Sequence, residues 1–550
     1  MSDPAAIRSS AAHQGFLEPL RMPLFRRIWI ASVLSNLGFL FLSVGTAWQM
    51  TALTAQAGMV TLVQTALMLP MMLLSIPAGA VADMYDRRRI GMVSLALSMM
   101  SASALAILTW LGHAAPWTLL AFCALTGTGM TLFNPAWQAS VSEQVPRDML
   151  SQAVSLNSIS FNIARSFGPA LGGVILTLGG AAITFASTAA STMFAVMFLW
   201  RRTPAPSRLP PERIDRAMHT GVRYVLHSPQ VRVVLFRTFW FGFGGSTISA
   251  LMPLVTRDLL RGSAAIYGLL LGTYGVGAVI GAMCLNRLRH QLSAEGLVLL
   301  STGLLALAAC TVATSTSALL SGASLVFGGA GWMVALTVCN VQIQTLAPRW
   351  VSGRLMAAYQ RAIGGGMAAG SWCWGRKAQA YSVEQALLGA TAFLAATLLL
   401  GWIMPIKAAP PANLEPVKLS DPEVNLDLTG RSGPIIVQLE YRVAPQHARA
   451  FYRAMQAVRS VRRRNGAFDW SLSRDIADAE LWLERDQCPT WHDYLRQRDR
   501  STPDELDTQL HVRRYLREGS EIRLRRLLER PFGSVRWADD VPESPVTTTG

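Results

Sequence analysis

The chain is poor in charge. Only 15% of its 550 residues are Asp, Glu, Lys or Arg, against about a quarter in an ordinary soluble domain. The deficit is confined to residues 1–406 and excludes a soluble globular protein for that part. Acids are scarcest: none stands between Asp86 and Glu143, or between Asp148 and Glu212. The six cysteines contain no Cys-x-x-Cys pair, and five of them fall in apolar runs. Neither a disulfide framework nor a zinc site is indicated, and no metal or cofactor is expected. Residues 1–25 have no apolar segment ahead of a small-residue cleavage site, so the first apolar run is expected to be retained. The Gly-x-x-x-x-Gly-Lys-Ser/Thr loop that would hold ATP is absent.

Long apolar runs are abundant. Hydrophobic residues make up 51% of the chain and the mean hydropathy is +0.31. A bilayer core of about 30 Å needs roughly 20 apolar residues per helix. Runs of that length recur from Ile28 to Ile406, and many carry helix-bending residues such as Pro70, Pro77, Pro135 and Pro169. The net charge of +16 could signal nucleic acid, but the basic residues cluster in alternate loops. Membrane topology demands that pattern, so no nucleic-acid partner is expected. The loops with Arg87 to Arg89, Arg147, Arg201 to Arg232, Arg287, Arg289, Arg349 and Arg354 are placed inside. Arg257, Arg261, Arg376 and Lys377 break the rule.

The most informative loop is Gly79-Ala-Val-Ala-Asp83-Met-Tyr-Asp86-Arg87-Arg88-Arg89. It lies between two membrane-length runs and is too charged for lipid. Its charge alone makes an ordinary cytoplasmic loop. Gly79, Ala82, Asp83, Arg87 and Arg88 together resemble the signature between helices two and three of the major facilitator superfamily. Asp86 stands where that family usually has its second glycine. The resemblance implies a cytoplasmic latch built from Gly79, Asp83, Arg87 and Arg88. Gly168-Pro169-Ala-Leu-Gly172-Gly173 resembles the helix-five motif of the family's antiporter branch, with Ala164 in place of a preceding glycine. Small residues there permit close helix contact, and Pro169 bends the helix. Arg165 is costly deep in lipid and should face a cavity or the cytoplasmic mouth; the plainer alternative is that it snorkels to lipid phosphate.

Residues 21–406 resemble the secretion group of that superfamily, near the enterobactin exporter, including Asn134-Pro-Ala-Trp137. The fold implied is an all-α polytopic membrane protein of twelve transmembrane helices in two six-helix repeats. The function implied is secondary active export of a small metabolite, siderophore or drug. An importer of the same fold is the first alternative. Polar residues within the runs are the cavity candidates: Asn36, Asn134, Gln138, Asn157, Asn162, Asn340 and Gln342. Taken singly, each amide is better explained as a bridge between helices, worth about 0.6 kcal/mol. No acid lies deep in a run, since Asp258 and Glu384 fall at outer ends. Proton coupling would therefore use Asp83 or a peripheral acid.

The expected divisions are an N-terminal arm (1–25), a first half (26–202), a linker with an amphipathic helix (203–231), a second half (232–406), a proline-rich linker (407–434), an appendage (435–537) and a disordered tail (538–550). Both termini are expected in the cytoplasm of a cell-membrane protein. The appendage reads strand, helix, strand, strand, helix. It resembles a ferredoxin-like α+β domain of the antibiotic biosynthesis monooxygenase group, which implies dimerisation. His492 and His511 are its candidate pocket residues, with surface histidines the plainer reading. A membrane-tethered enzyme acting through this appendage is the second alternative, and the main reading is that the chain is not an enzyme.

Overall fold

The structure, a computed structural model, describes residues 18–141, 149–200, 221–348, 351–406 and, with short gaps, 422–529. The N-terminal arm before Glu18, most of the linker expected over 203–231, and the tail lie outside the described residues. The chain forms two compact units. One comprises 1–218, 233–344 and 353–408, and the other 219–232, 345–352 and 409–550.

The described residues of the first unit fold into helices joined by short turns. Its helices are α1 (Pro23–Leu53), α2 (Ala57–Met84), α3 (Arg87–Trp110), α4 (Pro116–Val141) and α5 (Leu150–Trp200), then α6 (Pro229–Leu254), α7 (Ala264–Gln291), α8 (Ala294–Thr314), α9 (Ala318–Leu346), α10 (Ser352–Ala380) and α11 (Val383–Leu398). Among the described residues, ten segments are long and apolar enough to cross a membrane. The boundaries have local causes. Pro23 occupies the first turn of α1 and draws the helix back ahead of Arg26, where a missing N–H costs nothing. Asp86 caps α3, its carboxylate accepting the Arg88 N–H at 2.9 Å. Ser293 and Ser382 cap α8 and α11 in the same way. Gly180, at φ 71° and ψ −175°, breaks α5 into two arms, so the turn between them is a single residue of positive φ, which glycine adopts readily.

The second unit contains a four-stranded sheet of β1 (Ile435–Arg442), β2 (Phe468–Arg474), β3 (Leu481–Cys488) and β4 (Arg523–Leu528). The order is β2-β3-β1-β4 and every pairing is antiparallel. Helices α12 (Ala448–Asn465), α13 (Trp491–Asp499) and α14 (Pro503–Arg513) complete it. Phe451, Met455 and Val458 of α12 pack on Tyr441 and Trp482, which is the i, i+4, i+7 stripe of an amphipathic helix laid on a sheet. The strand β4 adds to the elements expected from sequence. Its Arg-Leu-Arg-Arg-Leu-Leu run shows no clean alternation, and its side chains are mostly exposed. Residues 221–226, where the amphipathic helix was expected, are helical and belong to this unit. There Arg223 donates to the Gly466 carbonyl at 3.2 Å, and the Arg464 guanidinium lies over the Tyr224 ring.

Candidate functional site

The site is built where helices of the two halves meet inside the first unit, and glycine decides how closely they meet. A Cβ on Gly173 of α5 would collide with the Cα of Gly268 on α7, and a Cβ on Gly268 with Gly173. One turn away on α7, a Cβ on Gly272 would lie 3.1 Å from the Ala170 Cβ. On the second seam, Gly375 of α10 faces Thr61 of α2, and Gly364 and Gly365 face Met71 and Met72. The Thr65 hydroxyl donates across that seam to the Ala368 carbonyl at 3.1 Å. At the end of the bundle holding the α1–α2 turn, Trp48 stacks on Tyr267 with ring centroids 5.5 Å apart. In lipid, where apolar side chains gain little by leaving the solvent, such small-residue contacts bring helices together.

The helix-five motif lies on this contact surface. Gly168 faces Leu40 and Gly172 faces Phe41, both on α1, while Gly173 reaches α7. Pro169 lies inside α5. The side chains of Arg165, Asn157 and Asn162 lie outside the described set, as do those of Asp83, Arg87 and Gln138. Gly79 has looser surroundings than its motif suggests, since an added Cβ would stand 3.7 Å from the Ala357 Cβ of α10, an ordinary contact. Arg88 is half-buried.

The described amides differ. Asn36 is buried and spends its amide N–H on Ser32 of its own helix, at 2.8 Å to the carbonyl. Asn340 accepts from Gln344 one turn on. Asn134 and Gln342 are half-buried. A small void of about 10 Å³ in the first half is lined by hydroxyls, the Met130 thioether and the Phe39 ring, with Ser35, Ser98 and Thr126 among the hydroxyls.

Two charged groupings escaped the sequence reading. Arg237 of α6 and Glu295 of α8 form a buried ion pair at 2.9 Å. An acid therefore does lie against a helix interior, in the first turn of α8. Arg237 also donates to the Met404 carbonyl at 3.2 Å, and Glu295 accepts the Ile406 N–H at 2.8 Å. The signal was Arg237 itself, a charge inside an apolar run. The other grouping centres on Arg257, one of the residues that break the inside-positive pattern. It pairs with Asp258 and donates to the Thr51 carbonyl at 3.1 Å.

The second unit holds a polar interior. Glu484 is fully buried, accepting from the Tyr441 hydroxyl at 2.6 Å, Trp470 Nε1 at 2.9 Å and Arg462 Nε at 3.2 Å. Asp486, two residues on and on the same face of β3, is 1% exposed, with the Gln497 amide as its polar neighbour. Burial pushes its carboxyl up to about 6; the Arg462 charge and the Gln497 amide oppose the rise, and Glu484 adds to it. Burial and the Glu484 charge hold the Tyr441 phenol well above its ordinary range. His492 and His511 are exposed and sit on different helices. The contact found for His511 is with Tyr515, 3.4 Å from hydroxyl to Nε2.

Comparisons with known proteins agree with this architecture. The family described as "Transmembrane secretion effector" matches residues 14–532. The staphyloferrin A transporter of Staphylococcus aureus is 27% identical over 282 residues, covering 50% of this chain and 70% of that protein. The enterobactin exporter EntS of Shigella boydii is 30% identical over 306 residues, covering 51% of this chain and 67% of that protein. Among solved structures, a bacterial homologue of the human lysosomal transporter Spinster, inward-facing and occupied, superposes with a TM-score of 0.58. It is 12% identical and covers 70% of this chain and 97% of its own. A D-xylose–proton symporter gives 0.57 at 13% identity, covering 70% and 97%. At these identities the structural likeness shows the fold alone: a mostly helical polytopic membrane transporter, with a small antiparallel sheet appended in this chain.

Proposed function

Because the chain belongs to the transmembrane secretion effector family, a family of transporters rather than enzymes, we propose that it exports a small, partly apolar, siderophore-like metabolite by alternating access. The family match carries this reading. The named cargoes of the matched relatives supply the substrate class, and the glycine seams between the halves supply surfaces that can rock. Ten spans are apparent by length and composition. Counting the arms of α5 separately at Gly180 and adding the glycine-rich α10 gives twelve. The loop charges favour both termini in the cytoplasm of an inner-membrane protein.

In this reading Gly79, Asp83, Arg87 and Arg88 latch the cytoplasmic mouth. Gly168, Pro169, Gly172 and Gly173 form a stiff, close-packed hinge, with Arg165 at the cytoplasmic approach. Asn134, Gln138, Asn157, Asn162 and Gln342 are the cavity candidates. Asn36 and Asn340 join them with part of their hydrogen-bonding already met inside their own helices. Proton coupling in this reading uses Asp83 or a peripheral acid. The appendage is read as a ferredoxin-like domain of the monooxygenase-like group that serves dimerisation. Its strand order β2-β3-β1-β4, with antiparallel neighbours throughout, is that of a split β-α-β unit.

The test is flux in inverted vesicles. Asp83→Asn should insert normally and reduce accumulation of a siderophore, with enterobactin and staphyloferrin A as the probes, at least tenfold. Unchanged accumulation would defeat the latch, and net movement in the opposite direction would make the protein an importer.

A further inference from the structure

Arg257 stands at the end of the bundle opposite the arginine-rich signature loop, where the charge bias of membrane proteins disfavours it. The helix ending before it changes character there. After α6, residues Val255–Leu259 form a turn of π-helix, a geometry that inserts an extra residue and is frequent at functional positions. One inserted residue turns the following side chains by about 100°. Arg257 Nη1 donates to the Thr51 carbonyl at 3.1 Å and reaches the Thr54 carbonyl at 3.5 Å. Thr51 lies in the last turn of α1 and Thr54 is its C-cap residue, so these carbonyls sit at the negative end of a helix dipole, which attracts a cation. The other edge of the guanidinium is held by Asp258, with Nε to Oδ1 at 2.6 Å and Nη2 to Oδ2 at 3.1 Å. The fork is therefore fixed on one side and offered to α1 on the other.

α1 and α6 belong to opposite halves, and the stack of Trp48 on Tyr267 and the Gly173–Gly268 contact also cross between them. Of these ties, the one from Arg257 is polar and directional. Hydrogen bonds to main-chain carbonyls break and re-form without repacking a core. We propose that Arg257 is the outer latch of the transport cycle, a positioning residue that holds the extracellular ends of the two halves together by gripping the C-terminus of α1, with Asp258 orienting its guanidinium. This rests on the transporter reading above and assigns the counterpart to its cytoplasmic latch.

The test measures conformation rather than flux. Spin labels are placed at the exposed Gln56 and Ser263 of the full chain, with its native cysteines replaced, in lipid nanodiscs without cargo. The parent should show mainly a short distance. Arg257→Gln should shift the ratio of long to short distances about tenfold, the factor that 1.4 kcal/mol represents. Arg257→Lys should fall between, because an ammonium keeps the charge without the fork, and it serves if the glutamine variant does not accumulate. Asp258→Asn should move the ratio in the same direction but less. Distances in both Arg257 variants that superimpose on the parent's would overturn the latch, whatever their thermal stability. A chain that exports nothing yet separates these variants would instead count against the transport reading alone.

Discussion

Arg237 and Glu295 form an ion pair at 2.9 Å with 4% and 15% of their side chains exposed, though 58 residues separate them in sequence. The last turn of the membrane domain closes over them, since Met404 gives its carbonyl to the arginine and Ile406 its N–H to the acid. One charge pair therefore ties α6, α8 and the end of the final helix within one half. Removing one partner of a buried pair leaves the other uncompensated and costs about 3–5 kcal/mol. Arg237→Met and Glu295→Met should each lower the unfolding temperature of the purified chain sharply. The double variant should recover most of the loss, because its two methionines can pack where two charges had to be paired. A loss in the double variant equal to the sum of the two single losses, read by thermal unfolding, would show that the residues contribute independently.

The α5–α7 crossing gives a graded steric prediction. A methyl at Gly173 meets backbone, which cannot yield, whereas a methyl at Gly272 meets the Ala170 Cβ at 3.1 Å, and a few tenths of an ångström would relieve it. Gly173→Ala should thus separate the halves and reduce transport about tenfold, consistent with an overpacking cost of about 1–3 kcal/mol. Gly272→Ala should stay within about twofold. Vesicle flux for the two variants at equal expression checks the order.

These contacts show what could be read from the residues and what could not. The helices were legible because a bilayer forces long apolar runs, and the glycine motif of α5 lies at a close crossing because small residues have that physical use. The partner of Gly173 was not legible, since nothing local marks Gly268 as its neighbour. Arg257 was visible only as a violation of the loop-charge pattern. Asn36 looked like a cavity residue, but its amide is engaged by Ser32 four residues earlier, a local bond that spacing permits but does not dictate. The strand β4 was hidden by its arginines, whose exposure gives no apolar alternation.

Asp86 offers a second local test. It occupies the place of the family's second glycine and serves as the N-cap of α3, accepting the Arg88 N–H at 2.9 Å. Glycine is a tolerable N-cap and alanine is not. Asp86→Ala should destabilise by about 1 kcal/mol, and Asp86→Gly by only a few tenths. Thermal unfolding of both variants beside the parent measures the difference; equal losses would show that the carboxylate acts in some way other than capping.

The two acids of β3 should respond to neutralisation with opposite signs. Glu484 is fully buried with three donors, so Glu484→Gln strips a charge that Arg462, Tyr441 and Trp470 all address; the cost should be about 2 kcal/mol or more. Asp486 is almost as deeply buried, and burial raises its carboxyl from 3.8 to about 6 although the Arg462 charge and the Gln497 amide oppose the rise. A raised acid means that the folded state holds its proton more tightly than the unfolded chain does. Stability should therefore fall as pH rises from about 4 to about 6 and stay low above that, with a total change of about 3 kcal/mol at 1.36 kcal/mol per pH unit. Asp486→Asn removes the ionisation and should stabilise the sheet at pH 7.5 while flattening its dependence between pH 4 and 6. Hydrogen–deuterium exchange of the β3 amides in the full chain reads both effects. Faster exchange in Glu484→Gln with slower exchange in Asp486→Asn is the expected pair. Faster exchange in both would mean that Arg462 and Gln497 outweigh burial and that the Asp486 charge stabilises the folded chain.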